Sequence, residues 1–521
     1  VSGKVSSRQK ASYSAALIAF LSLLLAALVL GAVSAWLQGS GLSILSDPLV
    51  WLTRLDPDTA ASSLSDAAQL VANVVAIAIT VVAIVVELAA NRYSHRITRI
   101  FVTEPINIVV MSMFIITTVQ CVWISVTLDS TSVDPLIPNA GYGISMILVA
   151  LSLLVLLPYF AFVFYFLSPT NIIEKIRLTG GRSIRRAARS DVEPCKRDTL
   201  AAVDELQDIA RRAAETGDRA VAMASLNALA DLLLDYQPLK SGLPEKWFAC
   251  TSAIVADPDF VSLAPAPLAD IELRRTWFEV KIFRQYLSIV TEGGVKSREI
   301  INLIAINTRH IGVVSGREDS ALLELCMHCF NSYLRATINA RDQRSSYYVM
   351  NHYRQLAETL LAHNGGERVR EIAQRLQFYA VLAYKYGQAF LLEVAAYDIV
   401  RLIEQSIEKN PDVVDRLLDL LMDLDQEIKN ELQEHSVLGV RRAQIQLATL
   451  FMQIGDERRT DFICRDLKTE QPARIRRLCE ALADEQNPQY WEITDRGVNF
   501  SYLVPDRRRF LGPLLERLFG D

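Results

Sequence analysis

The strongest pattern along the chain is an apolar run from Ala67 to Ala90 that breaks into a basic collar at Arg92, His95, Arg96 and Arg99. Its length predicts a transmembrane helix emerging into a compartment that retains positive charge. Within the run the small and polar residues are ordered. Gln69, Asn73, Ala76, Thr80, Ala83 and Glu87 follow steps of four and three, which on a helix is one narrow stripe, while Leu70, Val74, Ile77, Val81, Ile84 and Leu88 fill the rest. Amide and carboxylate groups are costly in hydrocarbon, so the stripe must face protein or water. Two readings follow. The stripe is a packing face, with Asn73 and Thr80 bonding across helices, or copies of the helix surround an axis and the stripe lines a pore with Glu87 as a ring of carboxylates at its cytosolic mouth.

Three further spans are expected around this one, at 13–37, 106–128 and 141–167, beside the central span at 67–90. The first is longer than a signal-peptide core and lacks a clear cleavage site, and its Ala27, Gly31 and Ala35 form a small-xxx-small face. Pro105 opens the next, whose Ser112, Thr117, Thr118, Gln120, Cys121 and Ser125 predict packing against the central span. Pro158 and a run of aromatic residues mark the last. Lys4, Arg8 and Lys10 precede the first span, and Arg92, Arg96 and Arg99 follow the second. Lys175, Arg177, Arg182, Arg185, Arg186 and Arg189 follow the fourth, whereas the intervening loops hold Arg54 and no other Lys or Arg. This alternation places 1–12 and everything after 168 on the cytosolic side, with 38–66 and 129–140 outside. Arg92, Arg96, Arg99, Arg182, Arg185, Arg186 and Arg189 are then a basic membrane surface able to hold anionic headgroups.

Residues 169–190 read as a basic linker. From about Asp191 to 487 the pattern changes to amphipathic helices with apolar residues recurring at three and four, as in Leu417, Leu418, Leu420, Leu421 and Leu424. Breakers at Gly217-Asp218, Gly293-Gly294, Gly365-Gly366 and Asn410-Pro411 separate them. Leu229-Ala-Asp-Leu-Leu-Leu234 recurs faintly as Leu356-Ala-Glu-Thr-Leu-Leu361. The fold class expected is all-α: a four-helix transmembrane domain, 13–168, followed by a cytosolic helical-hairpin or α-solenoid-like domain. Residues 488–521 form a C-terminal cap, with a possible small hairpin pairing Trp491–Thr494 with Val498–Leu503 and a short helix from Phe510 to Phe519.

Composition agrees with a chain divided between lipid and water: 521 residues, 51% hydrophobic, a mean hydropathy of +0.21, yet 22% charged. A net charge of −5 does not suggest a nucleic-acid binder. No phosphate loop, nucleophile elbow or metalloprotease signature is present, so no enzyme is expected, and no cofactor. Cys326-Met-His-Cys329 has a metal-like spacing, but it lies inside an amphipathic helix without a second ligand pair. Cys326 and Cys329 are therefore weak metal candidates, with buried helical cysteines as the alternative. Arg341–Tyr348 and Glu215–Arg219 place charged groups at helix starts, which is either an anion pocket or ordinary capping.

The junction Glu87-Leu-Ala-Ala-Asn-Arg-Tyr-Ser-His-Arg96 with Ile100-Phe101, and Phe166-Leu-Ser-Pro-Thr-Asn-Ile-Ile-Glu-Lys175 after the last span, carry a family resemblance. Over about residues 67–177 the chain resembles a bacterial family of predicted four-span membrane proteins with a domain of unknown function. Members tend to read Ser-Pro-Arg where this chain has Ser94-His95-Arg96. The resemblance implies an architecture and brings no activity. The functional expectation is a homo-oligomeric ion channel or pore-like protein of the bacterial inner membrane, regulated by its cytosolic helices. The competing expectation is a membrane-anchored sensor or scaffold that presents those helices to a cytosolic partner.

Overall fold

Among the described residues the chain forms helices and no strand, as its periodicity requires. The computed structural model describes residues 57–92, 98, 101–102, 104–130, 136–291, 297–316, 318–363, 365–424, 434–489 and 496–520. The chain divides into two compact units, Val1–Lys175 and Ile176–Asp521.

The first unit is built on α1 (Pro57–Arg92), α2 (Pro105–Ser130) and α3 (Leu136–Phe166). Each is long and apolar enough to cross a membrane. The expected span at 13–37 lies outside the described residues. Helix α1 begins ten residues before its apolar run. Pro57 fits a first helical turn, Asp58 complements the positive helix end, and no breaker intervenes. Helix α1 packs most extensively on α2, as the polar content of 106–128 led one to expect. Cross-helix polar bonds involve α3, however. Thr117 Oγ1 and Ser152 Oγ are 3.0 Å apart, and Ser63 Oγ lies 3.3 Å from the Tyr142 hydroxyl. Close approach of α2 and α3 depends on Gly141, where an added Cβ would sit 2.9 Å from Ile124 Cδ1.

The stretch 169–190 is mostly helix, α4 (Pro169–Ala187), rather than a linker. Its arginines occupy one face, and Ile172, Ile173, Ile176, Ile184 and Ala187 are buried on the other. Within the second unit α4 runs close to α5 (Val192–Glu215) and α6 (Arg219–Lys240). A Cβ on Gly180 would lie 3.1 Å from Ala202 Cβ and 3.4 Å from Leu232 Cδ2.

Beyond these come α7 (Trp277–Thr291), α8 (Arg298–Val314), α9 (Ser320–Asn339), α10 (Gln343–Leu361), α11 (Gly366–Lys385), α12 (Phe390–Lys409) and α13 (Val414–Met422). Helices α14 (Glu434–Ile454), α15 (Glu457–Leu467), α16 (Pro472–Asp484) and α17 (Leu511–Phe519) follow, and shorter helical segments at Glu245–Phe248, Ser252–Val255, Pro265–Leu273, Pro411–Val413 and Pro505–Arg508 lie between the named helices. Helices α5 to α14 stack in two rows. One runs α6, α8, α10, α12, α14 and the other α5, α7, α9, α11, α13, each helix packing on the next of its own row and on its sequence neighbour.

One turn recurs between helices. At Gly217, Arg341, Gly387 and Gly455 the backbone enters the left-handed region, with φ of 80°, 55°, 79° and 75°. The next amide then bonds back to a carbonyl five residues earlier, as in Asp218 N to Ala213 O at 2.8 Å and Asp456 N to Phe451 O at 2.9 Å. This closes the ending helix. The following Asp starts the next one: Asp218, Asp342 and Asp456 accept from the amides of Val221, Ser345 and Arg459. The charged groups at Glu215–Arg219 and Arg341–Tyr348 are thus used in capping.

The described end of the chain folds back over one row. Arg496 pairs with the buried Asp398 of α12 at 2.5 Å, donates to Tyr347 O of α10 at 3.0 Å and lies over the Tyr347 ring. Phe500 stacks on Tyr397 at 4.3 Å, and Gln446 of α14 donates to Phe500 O at 2.9 Å. Residues 496–504 form no strand, and the Trp491–Thr494 half of the possible hairpin lies outside the described residues. The expected terminal helix is present as α17.

Two predictions follow from this packing. A fragment beginning at Ile176 should be soluble and helical, whereas Gly180→Val should lower its stability by roughly 1–3 kcal/mol through overpacking, read as a lower urea midpoint. The second concerns His352, whose Nε2 meets Asn302 Oδ1 at 2.9 Å. Burial, with the Arg309 charge nearby, pushes its pKa down to about 4. Between about pH 6.5 and 4 the unfolded chain takes a proton here that the folded chain refuses. Stability should therefore fall by up to about 3 kcal/mol across that window, and His352→Gln should flatten this part of the profile.

Candidate functional site

At 100° per residue, the surface of α1 divides into distinct faces. Ala60, Leu64, Ala67, Val71, Ala78 and Val82 are buried and form the packed seam. Leu70, Ile77, Ile84 and Leu88 form an exposed apolar face of the kind that suits lipid. The stripe of Gln69, Asn73, Ala76, Thr80, Ala83 and Glu87 is exposed throughout its length. Its centre lies about 170° round the helix from that of the seam. It is therefore not the surface that α1 presents to α2 and α3. Thr80 Oγ1 donates to Ala76 O of its own helix at 2.8 Å, and among the described residues it makes no bond to another helix. The reason is steric: the alanines and β-branched valines opposite the stripe permit the closer helix contact, and they take the seam.

Between the seam and the stripe lies a groove of about 880 Å³. Ile79, Val82, Val86, Ile108 and Met111 give it apolar walls, and Ala83 and Glu87 join it to the stripe. Asn107 and Tyr159 line it from α2 and α3. They are 6% and 3% exposed. Asn107 Nδ2 donates to Phe101 O at 2.5 Å, while Asn107 Oδ1 and the Tyr159 hydroxyl have no hydrogen-bond partner among the described residues. Both oxygens are closed off from the open part of the groove, so they are polar atoms sealed within its wall. Asn107 and Tyr159 were not singled out by sequence reasoning. The one available signal was a polar Asn two residues into an otherwise apolar run.

At this end of the unit Glu104 is ion-paired with Lys175, and Lys175 Nζ lies 4.6 Å from the centre of the Phe166 ring. Phe166 in turn meets Phe101 edge-on at 5.4 Å. A carboxylate at the start of α2 is thus neutralised by the basic stretch after α3.

Of the expected basic surface, Arg182, Arg185, Arg186 and Arg189 are exposed, Arg186 making a long 4.0 Å pair with Asp198. The Arg92 side chain, Arg96 and Arg99 lie outside the described residues. Cys326 and Cys329 are buried in α9, and burial raises both thiols, Cys329 to about 12. Both are protonated core residues, Cys326 packing beside Gly312, and among the described residues no cluster of His, Cys, Asp or Glu surrounds them.

No curated protein and no solved structure matches the chain. Residues 13–231 do match a family described as "Predicted membrane protein (DUF2254)", a stretch that takes in α1 to α5 and ends inside α6. Over residues 13–231, less than half of its length, the chain is thus similar to the DUF2254 family of predicted membrane proteins.

Proposed function

We propose that the chain forms a homo-oligomeric pore of the bacterial inner membrane in which the polar stripe of α1 lines the water path and Glu87 sets charge selectivity at the cytosolic mouth. The observation that carries this reading is the position of the stripe. It lies beside a lipid-suited face and away from the packed seam, so Gln69, Asn73 and Glu87 need water or a further helix against them. Several carboxylates near one axis would concentrate cations and repel anions. The helices from Ile176 onward would then regulate the pore from the cytosol.

A second reading, a membrane-anchored scaffold, draws support from the two stacked rows of helices, an α-solenoid-like arrangement that offers long surfaces to protein partners. It treats the spans as an anchor and the stripe as a packing face. Neither reading assigns an enzymatic activity.

Both share one topology: four spans, with residues 1–12 and those after 168 in the cytosol. Single cysteines introduced after removal of the seven native ones test it. Ser62 and Ser190 are both exposed. In intact cells an impermeant thiol reagent should label Ser62→Cys and leave Ser190→Cys unlabelled until the membrane is opened; labelling of Ser190→Cys from outside would end the four-span arrangement.

Planar bilayers holding the purified full-length protein test the pore. Wild type should conduct with a cation preference, Glu87→Gln should weaken that preference several-fold, and Glu87→Lys should invert it. A water-soluble thiol reagent should block Asn73→Cys. A silent wild type, or a conductance indifferent to all three substitutions, would leave the scaffold reading in possession.

A further inference from the structure

We infer that the exposed arginine stripe of α4 and the turn after it, Arg182, Arg185 and Arg189, is a docking surface for anionic phospholipid headgroups of the membrane that α3 crosses. The inference does not depend on the pore reading.

At 100° per residue Arg182, Arg185 and Arg189 fall within an arc of about 60°, with Leu178 in line, and they span about 10 Å of the helix axis. Ile176, Ile184 and Ala187 on the opposite side are buried, and Gly180 beside them faces Ala202 and Leu232. The apolar face of α4 is thus taken up by protein, so the helix cannot attach to a bilayer by inserting it. What it leaves outside is charge. Arg182, Arg185 and Arg189 are exposed, and none makes an ion pair among the described residues. Arg182 Nε donates to Leu178 O of its own helix at 3.3 Å, and Arg186, at the edge of the stripe, has its long 4.0 Å pair with Asp198.

Other exposed arginines of this unit are paired: Arg219, Arg416 and Arg458 reach Glu299, Glu367 and Asp415 at 3.1, 2.9 and 2.6 Å. Three guanidinium groups on one face with no acid opposite are a receptor for anions, and their planar forks suit phosphate oxygens. The source of the phosphate is set by attachment. Arg182 follows Phe166, the end of α3, by 16 residues, at most about 24 Å if helical, so headgroups are the phosphates that the chain keeps within reach. Retention of positive charge during insertion does not account for the arrangement. That rule counts Lys and Arg within about 15–20 residues of a span and is indifferent to helical face. Arg189 lies 23 residues past Phe166 and still shares its face with the other two.

Arginine footprinting of the full-length protein in lipid nanodiscs tests this without altering the chain. Phenylglyoxal, a neutral reagent for guanidinium groups, is applied to discs of phosphatidylcholine alone and of phosphatidylcholine with phosphatidylglycerol, and modification of each arginine is followed by mass spectrometry. Phosphatidylglycerol should slow the reaction of Arg182, Arg185 and Arg189 about fivefold each, the factor equivalent to about 1 kcal/mol per arginine at an anionic surface. Arg219, Arg416 and Arg458 should keep their rates. Raising the salt severalfold should remove the protection, because exposed charges are screened. Equal rates in the two kinds of disc would overturn the proposal, as would protection that extends equally to Arg219, Arg416 and Arg458 or that survives high salt. Millimolar inorganic phosphate added to choline discs should protect nothing; protection matching that of phosphatidylglycerol would overturn the proposal by assigning the stripe to a free anion.

Discussion

A polar atom taken out of water must find a partner, and this constraint organises both units. In the first it is met cheaply wherever a hydroxyl can turn back on its own helix. Thr80 bonds Ala76 O, Thr118 bonds Phe114 O and Ser145 bonds Gly141 O. Such bonds leave a helix free to face any medium, so they say nothing about function. Side chains that cannot satisfy themselves in this way are the informative ones: Gln69, Asn73 and Glu87 on the outside of α1. The pore reading rests on what each of these groups still needs.

In the second unit the same constraint is met by ion pairs drawn from distant parts of the chain. Lys281, 1% exposed, is held by Asp204, Asp257 and Asp259 at 2.6–2.8 Å. Lys240 bridges the fully buried Glu279 and Asp319, each at 2.6 Å. Asp398 receives both Arg354 and Arg496. Removing one member of such a group strands a buried charge at a cost of about 3–5 kcal/mol. These groups therefore fix which helix faces which, more than they add to net stability. Arg496 has a further effect: it ties a segment late in the chain to α10 and α12, so the two helices share a contact that neither supplies.

Much of this was legible in the sequence, and the failures have physical causes. The apolar runs at 67–90, 106–128 and 141–167 announce α1, α2 and α3, because hydropathy over 20 residues is a strong signal. The start of α1 at Pro57 was not foreseen, since Thr59 to Asp66 is too polar to resemble a span although nothing there breaks a helix. Residues 169–190 read as a linker because Arg182, Arg185 and Arg186 dominate the composition, while the isoleucines behind them are spaced for a buried face. The turn at Arg341 was hidden because a left-handed residue is expected to be glycine. The groove was beyond reach: it exists only where three helices meet and bring together residues as far apart in sequence as Ile79 and Tyr159. Its polar members carry no motif.

Helix α1 has 36 residues, which makes it about 54 Å long, against a hydrocarbon thickness of about 30 Å. Some 20 Å of it must therefore stand clear of the hydrocarbon. Apart from the buried Leu64, the residues from Thr59 to Asp66 are hydroxylated, small or acidic and can enter the headgroup layer without penalty, and Ser63 keeps this end joined to Tyr142 of α3. The ends of the rod therefore do not register its depth; only its apolar middle does. In a thicker membrane α1 can stand more upright and in a thinner one it can lean, with the Ala- and Ser-rich end acting as slack. Because the stripe and the groove are carried on the same rigid rod, such tilting would raise or lower Glu87 relative to the headgroups. Bilayer thickness would thus set the depth at which Glu87 stands.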